Sequence, residues 1–443
     1  MRLLENTDTQ PSLPEVHRSI AIPDAKSFWR KLIAFMGPGY LISVGYMDPG
    51  NWATDIQGGA KFGYTLLCVI LLSNFVAIVL QSLCVRLSVA TERDLAKSCR
   101  DQFSPKVNII LWILAEIGII ATDIAEVIGS AIALQLLFQI PLIVGVCLTS
   151  LDVVLLLMLQ RFGFRYLEAL VITLVSSIGL CFVLEVLFSR PDLSSVVLGF
   201  VPQPEILQKQ EILYVALGIL GATVMPHNLY LHSAITQTRA WQRTPEKKRE
   251  AIKFGTLDST IALSFALFVN AAILVVAAAS FHFSGHQGVA EIADAYKLLS
   301  PLLGVKVASL VFALGLLASG QSSTLTATLT GQIVMEGFLN LRILPWLRRF
   351  ISRMAAIIPT LICIVLFGNG GTTKLLIFSQ VLLSFQLPFA VFPLVMFTSN
   401  PRLMGEFVNP LWLKVLCWSI ALVIAVLNLW LLWQSLLELL HIH

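Results

Sequence analysis

The chain has 443 residues, 57% of them hydrophobic and only 13% charged, with a mean hydropathy of +0.83. A soluble domain is nearer one quarter charged, so most of this chain must lie in lipid, which excludes the soluble enzyme classes. The net charge of +4 follows from the loop asymmetry described below and calls for no nucleic-acid partner.

A bilayer core takes ~20 apolar residues per helix. On that yardstick eleven transmembrane helices are predicted, at 30–60, 63–90, 106–138, 140–160, 164–188, 211–240, 255–283, 299–338, 343–367, 373–398 and 410–440. No stretch shows the repeated period-two alternation of a β-barrel, so the class is all-α integral membrane. Residues 1–28 are polar and read as a short disordered cytoplasmic tail, without the apolar core of a cleaved signal peptide. The seven cysteines (68, 84, 99, 147, 181, 363 and 417) are scattered and form no CxxC pair. That argues against both a disulfide framework and a thiolate metal cluster. With the N-terminus placed inside, 24 of the 30 lysines and arginines fall on the inner side. An odd number of spans then puts the C-terminus outside.

The first span contains GPGYLISVGYMDPGN, Gly37 to Asn51. Pro49 lacks a backbone donor and clashes with the preceding helical turn, so a break is expected near Asp48. Gly45 and Gly50 relax the backbone on either side. Broken backbone at membrane depth is tolerated only in protein or against a wet cavity, and an ionisable group there marks a functional site. In the third span Glu116, Asp123 and Glu126 are spaced by seven and three residues, which puts them on one helical face. Three acids on one face cannot look into lipid. In the fifth span Glu168 and Glu185 read as near-interface residues. The segment 191–210 is an external connection, with room for a short interfacial helix.

The sixth span carries GILGATVMPHNLYLHSAITQTR, where Gly221 and Pro226 predict a second break around Ala222–Met225. The two breaks share the form x-Pro-x-Asn and sit five spans apart. Interrupted helices at corresponding positions in two halves point to an inverted-repeat secondary transporter with its site at the midplane. Spans one to five (29–190) then form one repeat and spans six to ten (211–398) the inverted second. Residues 399–443 add an eleventh helix and the C-terminus. The basic stretch Arg239–Lys253 is expected to form a surface helix beneath the membrane. The eighth span ends in a hydroxyl- and glutamine-rich run, which suits either an aqueous path or small-residue packing.

The candidate ligands are Asp48, Asn51, Met225 and backbone carbonyls at the two breaks. A carboxylate and an amide oxygen suit any divalent cation. The thioether of Met225 is a soft ligand, which favours Mn²⁺, Fe²⁺ or Cd²⁺ over the abundant hard ions; its bland alternative is core filler. His227 and His232 stand five residues apart, so their rings diverge by about 500° of helix and a shared zinc is disfavoured. Proton acceptors or plain helix packing both fit them.

The motifs DPGN in the first span, MPHNLYLHS in the sixth and GQSSTLTATLTGQIVMEGF around the eighth closely resemble the NRAMP family of proton-coupled divalent transition-metal transporters. The resemblance covers essentially the whole chain. It implies a leucine-transporter-type fold of two inverted five-helix repeats plus an eleventh helix, with helices 1 and 6 broken. It maps the metal ligands onto Asp48, Asn51, Met225 and the carbonyl of Ala222, with Gln380 of the tenth span able to approach. It maps the proton path onto Asp48, Asp123 and Glu126, with His227, His232, Glu116, Arg348 and Arg349 beside or beyond them. Met225 argues against the magnesium- and aluminium-handling relatives, which lack that sulfur.

The function expected is import of Mn²⁺ and Fe²⁺, with Cd²⁺ and Co²⁺, together with protons by alternating access. The short tails and eleven spans look like bacterial members, which places the chain in the inner (plasma) membrane, as a monomer and without a cofactor. The alternatives are an amino-acid or other organic-solute symporter of the same fold and, from another class, an intramembrane metalloenzyme. Asp48 would repel a substrate carboxylate, and the second alternative lacks histidines at ligand spacing. No nucleophile–base set or phosphate loop is present, so no enzyme activity is expected.

Overall fold

The computed structural model describes residues 12–439 except 14–15, 24–26, 152–162, 287, 289–291, 304–306, 342 and 369. Among these residues nine helices are long and apolar enough to cross a membrane. The first span contributes shorter pieces. The fourth is seen as Leu142–Leu148 with a 3-10 turn to Leu151, its predicted second half lying outside the described residues.

The first span breaks where proline dictates. Pro38–Gly45 ends, Tyr46 to Asp48 leave the helix, and Pro49–Phe62 resumes. The sixth span does the same: Gln210–Thr223, then Val224 and Met225, then Pro226–Ile235. At each break proline occupies the first helical position, where a missing N–H costs nothing. The carbonyls freed at the first break are all taken. Gly45 O accepts from Asn51 Nδ2, Tyr46 O from Asn270 Nδ2 (2.8 Å), and Met47 O from Trp52 Nε1 and Ser319 Oγ (2.6 Å). Three spans, the first, seventh and eighth, thus contribute to one stretch of broken backbone, which is how it survives in an apolar interior.

The broken spans run through the centre. The first half of span one, Pro38–Gly45, packs on the seventh, fifth and eighth spans; its second half, Pro49–Phe62, packs on the seventh, third, tenth and the first half of the sixth. Approach is close at two glycines. A Cβ on Gly129 of the third span would fall 2.2 Å from the Pro49 ring, and one on Gly221 would fall 2.1 Å from Gln380 O. Neither position has room for a side chain, so the third and tenth spans lie directly on the two breaks.

Four expectations need revision. A further break, at Met36–Gly37, separates Phe28–Phe35 from the rest of the first span; Gly37 has φ +143°, open only to glycine. The basic stretch 239–253 is not a separate surface helix. After a two-residue strand it enters Pro245–Ala277, so its charges form the first turns of the seventh span. The eighth span starts at Ala308, and Ile292–Leu303 before it is a helix of its own. Finally, the described parts of the tail are packed. Ser12 and Leu13 are 5% exposed, Leu13 N donates to Glu336 Oε2 (3.1 Å), and Ile20–Ala21 pairs in parallel with Arg239–Ala240.

Candidate functional site

Asp48 stands at the N-terminus of the resumed helix, where its Oδ1 accepts the Asn51 N–H (2.9 Å) as a cap. Asn51, one turn on, directs its Nδ2 at three oxygens at once: Asp48 Oδ1 (2.6 Å), Gly45 O (3.2 Å) and Ala222 O (3.0 Å). A carboxylate and the backbone of both breaks therefore converge on one point. The Met225 sulfur is beside them, 3.2 Å from where a Cβ on Gly45 would lie. Gln380 also arrives, because a Cβ on Gly50 would fall 2.0 Å from its Nε2. Asp48, Met225 and Gln380 are 0% exposed and Asn51 1%. Asp48 Oδ2 and Gln380 Oε1 are buried without a hydrogen-bond partner. Two lone acceptors in a sealed, oxygen-rich pocket are costly unless something positive joins them.

The three acids of the third span meet the start of the ninth (Pro345–Phe367). Arg348 Nη2 donates to both oxygens of Glu116 (2.9 and 3.0 Å), with Trp112 Nε1 adding 3.1 Å. Arg349 bridges Asp123 (2.5 Å) and Glu126 (3.3 Å). Arg353 donates to Glu126 at 3.3 Å and lies 3.8 Å from Asp123. Asp123, Glu126 and Arg353 are 0% exposed and Arg349 1%, so two carboxylates and two guanidinium groups balance inside the protein. Removing one member of such a set strands a buried charge, at about 3–5 kcal/mol. Thr324 of the hydroxyl-rich eighth span also donates to Glu126 (3.0 Å).

The two histidines diverge. His227 contacts Thr122, beside Asp123 on the third span (3.4 Å). His232 meets Gln81 Oε1 of the second span at 2.9 Å, and Gln81 Nε2 donates to the Tyr46 hydroxyl (2.8 Å). Because the glutamine oxygen only accepts, His232 carries its proton on Nδ1; its Nε2 is buried and without a partner. His227 thus adjoins the third-span network, whereas His232 reaches the first break only through Gln81 and the Tyr46 side chain.

Other participants were not evident from sequence. Arg353 lies one turn beyond Arg349, and their i,i+4 spacing puts both on one face. Asn270 holds the Tyr46 carbonyl and its Nδ2 lies 3.4 Å from Asn51 Oδ1. At the basic end a second network, buried except for Arg165, clasps the start of the first span. Asp258 accepts from Gly37 N (3.3 Å) and Gly39 N (2.7 Å), while Arg239 and Arg165 donate to Met36 O (2.6 and 2.7 Å). Glu168 pairs with both arginines, at 2.5 and 3.0 Å. Glu168 and Glu185 lie near the ends of Phe164–Ser189, but they are 1% and 0% exposed and face the protein.

The family model described as natural resistance-associated macrophage protein-like matches residues 39–434. A divalent metal cation transporter, MntH, of Nostoc sp. is 70% identical over 429 residues, 97% of each chain. The manganese transporter of Eremococcus coleocola is 42% identical, with a TM-score of 0.89 over 95% of this chain and 90% of its own. The nucleobase-cation-symport-1 family transporter Mhp1 is only 14% identical, with a TM-score of 0.58 over 89% of this chain and 92% of its own. That last likeness is one of fold, the inverted repeat with two broken helices.

Proposed function

This chain belongs to the natural resistance-associated macrophage protein-like (Nramp) family, and from that premise we propose that it imports Mn²⁺ and Fe²⁺, and with them Cd²⁺ and Co²⁺, together with protons by alternating access. It is a multi-pass membrane transporter and not an enzyme. One observation carries the choice of substrate: Asp48 Oδ1, Gly45 O and Ala222 O converge on the Asn51 amide nitrogen, with the Met225 sulfur alongside. Oxygens gathered around a donor are arranged for a cation. When the metal takes the donor's place, the Asn51 amide turns to offer Oδ1, and Asp48, Asn51, the Ala222 carbonyl and Met225 hold the ion. Gln380, already over Gly50, supplies a further oxygen. An amino-acid symporter would need free backbone N–H groups for the substrate carboxylate. Here acceptors converge instead, and an anion would be repelled.

Protons take the third-span route. Asp48 or His232 gives up a proton to Asp123 and Glu126, whose arginine partners compensate the change of charge. Metal enters from a polar outer vestibule of about 390 Å³ lined by Gln135, Gln139, Tyr296, Lys297, Thr372 and Thr373. Exit requires the inner half of the first span to leave its clasp of Asp258, Arg239, Arg165 and Glu168. The N-terminus is cytoplasmic in this reading, which the excess of basic residues in the loops on that side supports. The protein acts as a monomer in a bacterial inner membrane, with no cofactor beyond its cargo.

Asn51→Cys in a background lacking the exposed Cys147 tests the site. Mn²⁺ is expected to slow modification of that cysteine by a membrane-impermeant thiol reagent, and leucine or phenylalanine to leave the rate unchanged. Protection by an amino acid but not by Mn²⁺ would reverse the assignment.

A further inference from the structure

Among the described residues, Arg86 of the second span has no ion-pair partner. Arg86 lies five residues before the end of the second span, Leu67–Thr91, or ~7.5 Å up from its basic end at 1.5 Å per residue. It sits on that helix's outward stripe, Leu72, Phe75, Val79, Ser82, Arg86 and Ala90, of which Leu72 and Phe75 are more than half exposed. Among the described residues no carboxylate pairs with it. Two acids at this end are engaged elsewhere: Glu92 by Arg243 (2.9 Å) and Lys248 (3.0 Å), Glu406 by Arg249 (2.5 Å). Beside the second span runs the eleventh, Leu411–Leu439, which packs on it. Lys414, one turn from Cys417 and nearer the interface, is half-buried, and its side chain also lacks an acidic partner.

A guanidinium held at lipid depth is stable only with a counter-ion or by snorkelling to the headgroups. Here Arg86 and Lys414 stand near the basic ends of the two helices of one seam, and among the described residues neither pairs with a carboxylate. Deeper along the seam the second, sixth and eleventh spans part into an apolar groove of about 420 Å³ lined by Leu72, Val76, Ile420 and Ile424. Val76 is ten residues from Arg86, ~15 Å along the helix, within reach of an acyl chain. We propose that this seam binds an anionic phospholipid, its phosphate held by Arg86 and Lys414 and one acyl chain laid toward the groove. The planar arginine fork suits phosphate oxygens, and lysine adds a point charge. The apolar groove selects a lipid over a free phosphate ion. A lipid bound there fixes the eleventh span, which lies outside the two repeats, against the second.

Thermal unfolding of delipidated protein in detergent, with phosphatidylglycerol, phosphatidylcholine of the same chains, or inorganic phosphate added, tests this. Phosphatidylglycerol alone is expected to raise the midpoint of the wild type. In R86Q the concentration needed should rise at least about tenfold, since a charged hydrogen bond of this kind is lost; K414Q should shift it in the same direction. Both variants should match the wild type in phosphatidylcholine, which shows that they fold. A phosphatidylglycerol response unchanged in R86Q overturns the proposal. So does an equal response to inorganic phosphate, or to phosphatidylcholine.

Discussion

Replacing Asp48 by Ala is expected to abolish Mn²⁺ uptake while leaving a folded protein. The carboxylate has two roles, capping the resumed helix through Oδ1 and offering the charge at the convergence point. Loss of the cap costs about 1 kcal/mol, which a core of this size tolerates. Loss of a charged contact worth about 3 kcal/mol weakens metal binding roughly a hundredfold. Asp48→Asn separates the roles, because asparagine caps equally well but brings no charge. Both variants should be inactive, with normal membrane insertion and near-normal unfolding temperature. Uptake retained in Asp48→Asn would make this residue a cap and move the metal elsewhere.

Met225 carries the second large effect. It is fully buried between the breaks, in an apolar cluster with Ala121 and Leu383, and its sulfur faces Gly45. Met225→Ala should keep Mn²⁺ uptake but lose selectivity, so that Ca²⁺ competes at concentrations about tenfold lower than in the wild type, the mark of one lost soft ligand. Truncation also opens a cavity and costs about 2–5 kcal/mol of stability. Met225→Leu therefore belongs beside it, since it removes the sulfur while conserving volume at under about 1.5 kcal/mol. Competition assays on both variants check the point. Ca²⁺ discrimination surviving in both would refute the role of the thioether.

The sequence made some of this legible because the signal was local. Pro49 and Pro226 act on their own helices, so both breaks could be read within a residue or two. The acids of the third span share a face by spacing alone, and burial among arginines follows from charge in a low dielectric. What stayed hidden depends on partners far along the chain. The break at Gly37 makes sense only once Asp258, Arg239 and Glu168 close on it, about 130 to 220 residues away. The basic run 239–253 reads as an amphipathic surface helix, and nothing within it shows that its second half continues into the seventh span. Residues 12–13 and 16–23 look disordered by composition, yet they find Asp94, Glu336 and Arg239 at the end of other elements. The part of Arg353 emerges only from its pairing with Glu126, 227 residues away.

If metal and proton cross this protein together, Mn²⁺ uptake into proteoliposomes, with internal pH followed in the same vesicles, registers both movements. An inward proton gradient should drive Mn²⁺ in, and Mn²⁺ should bring acidification with it, both absent when Asp48 is Ala. Mn²⁺ entry with no movement of protons, or no Mn²⁺ flux at all under that gradient, would contradict the account.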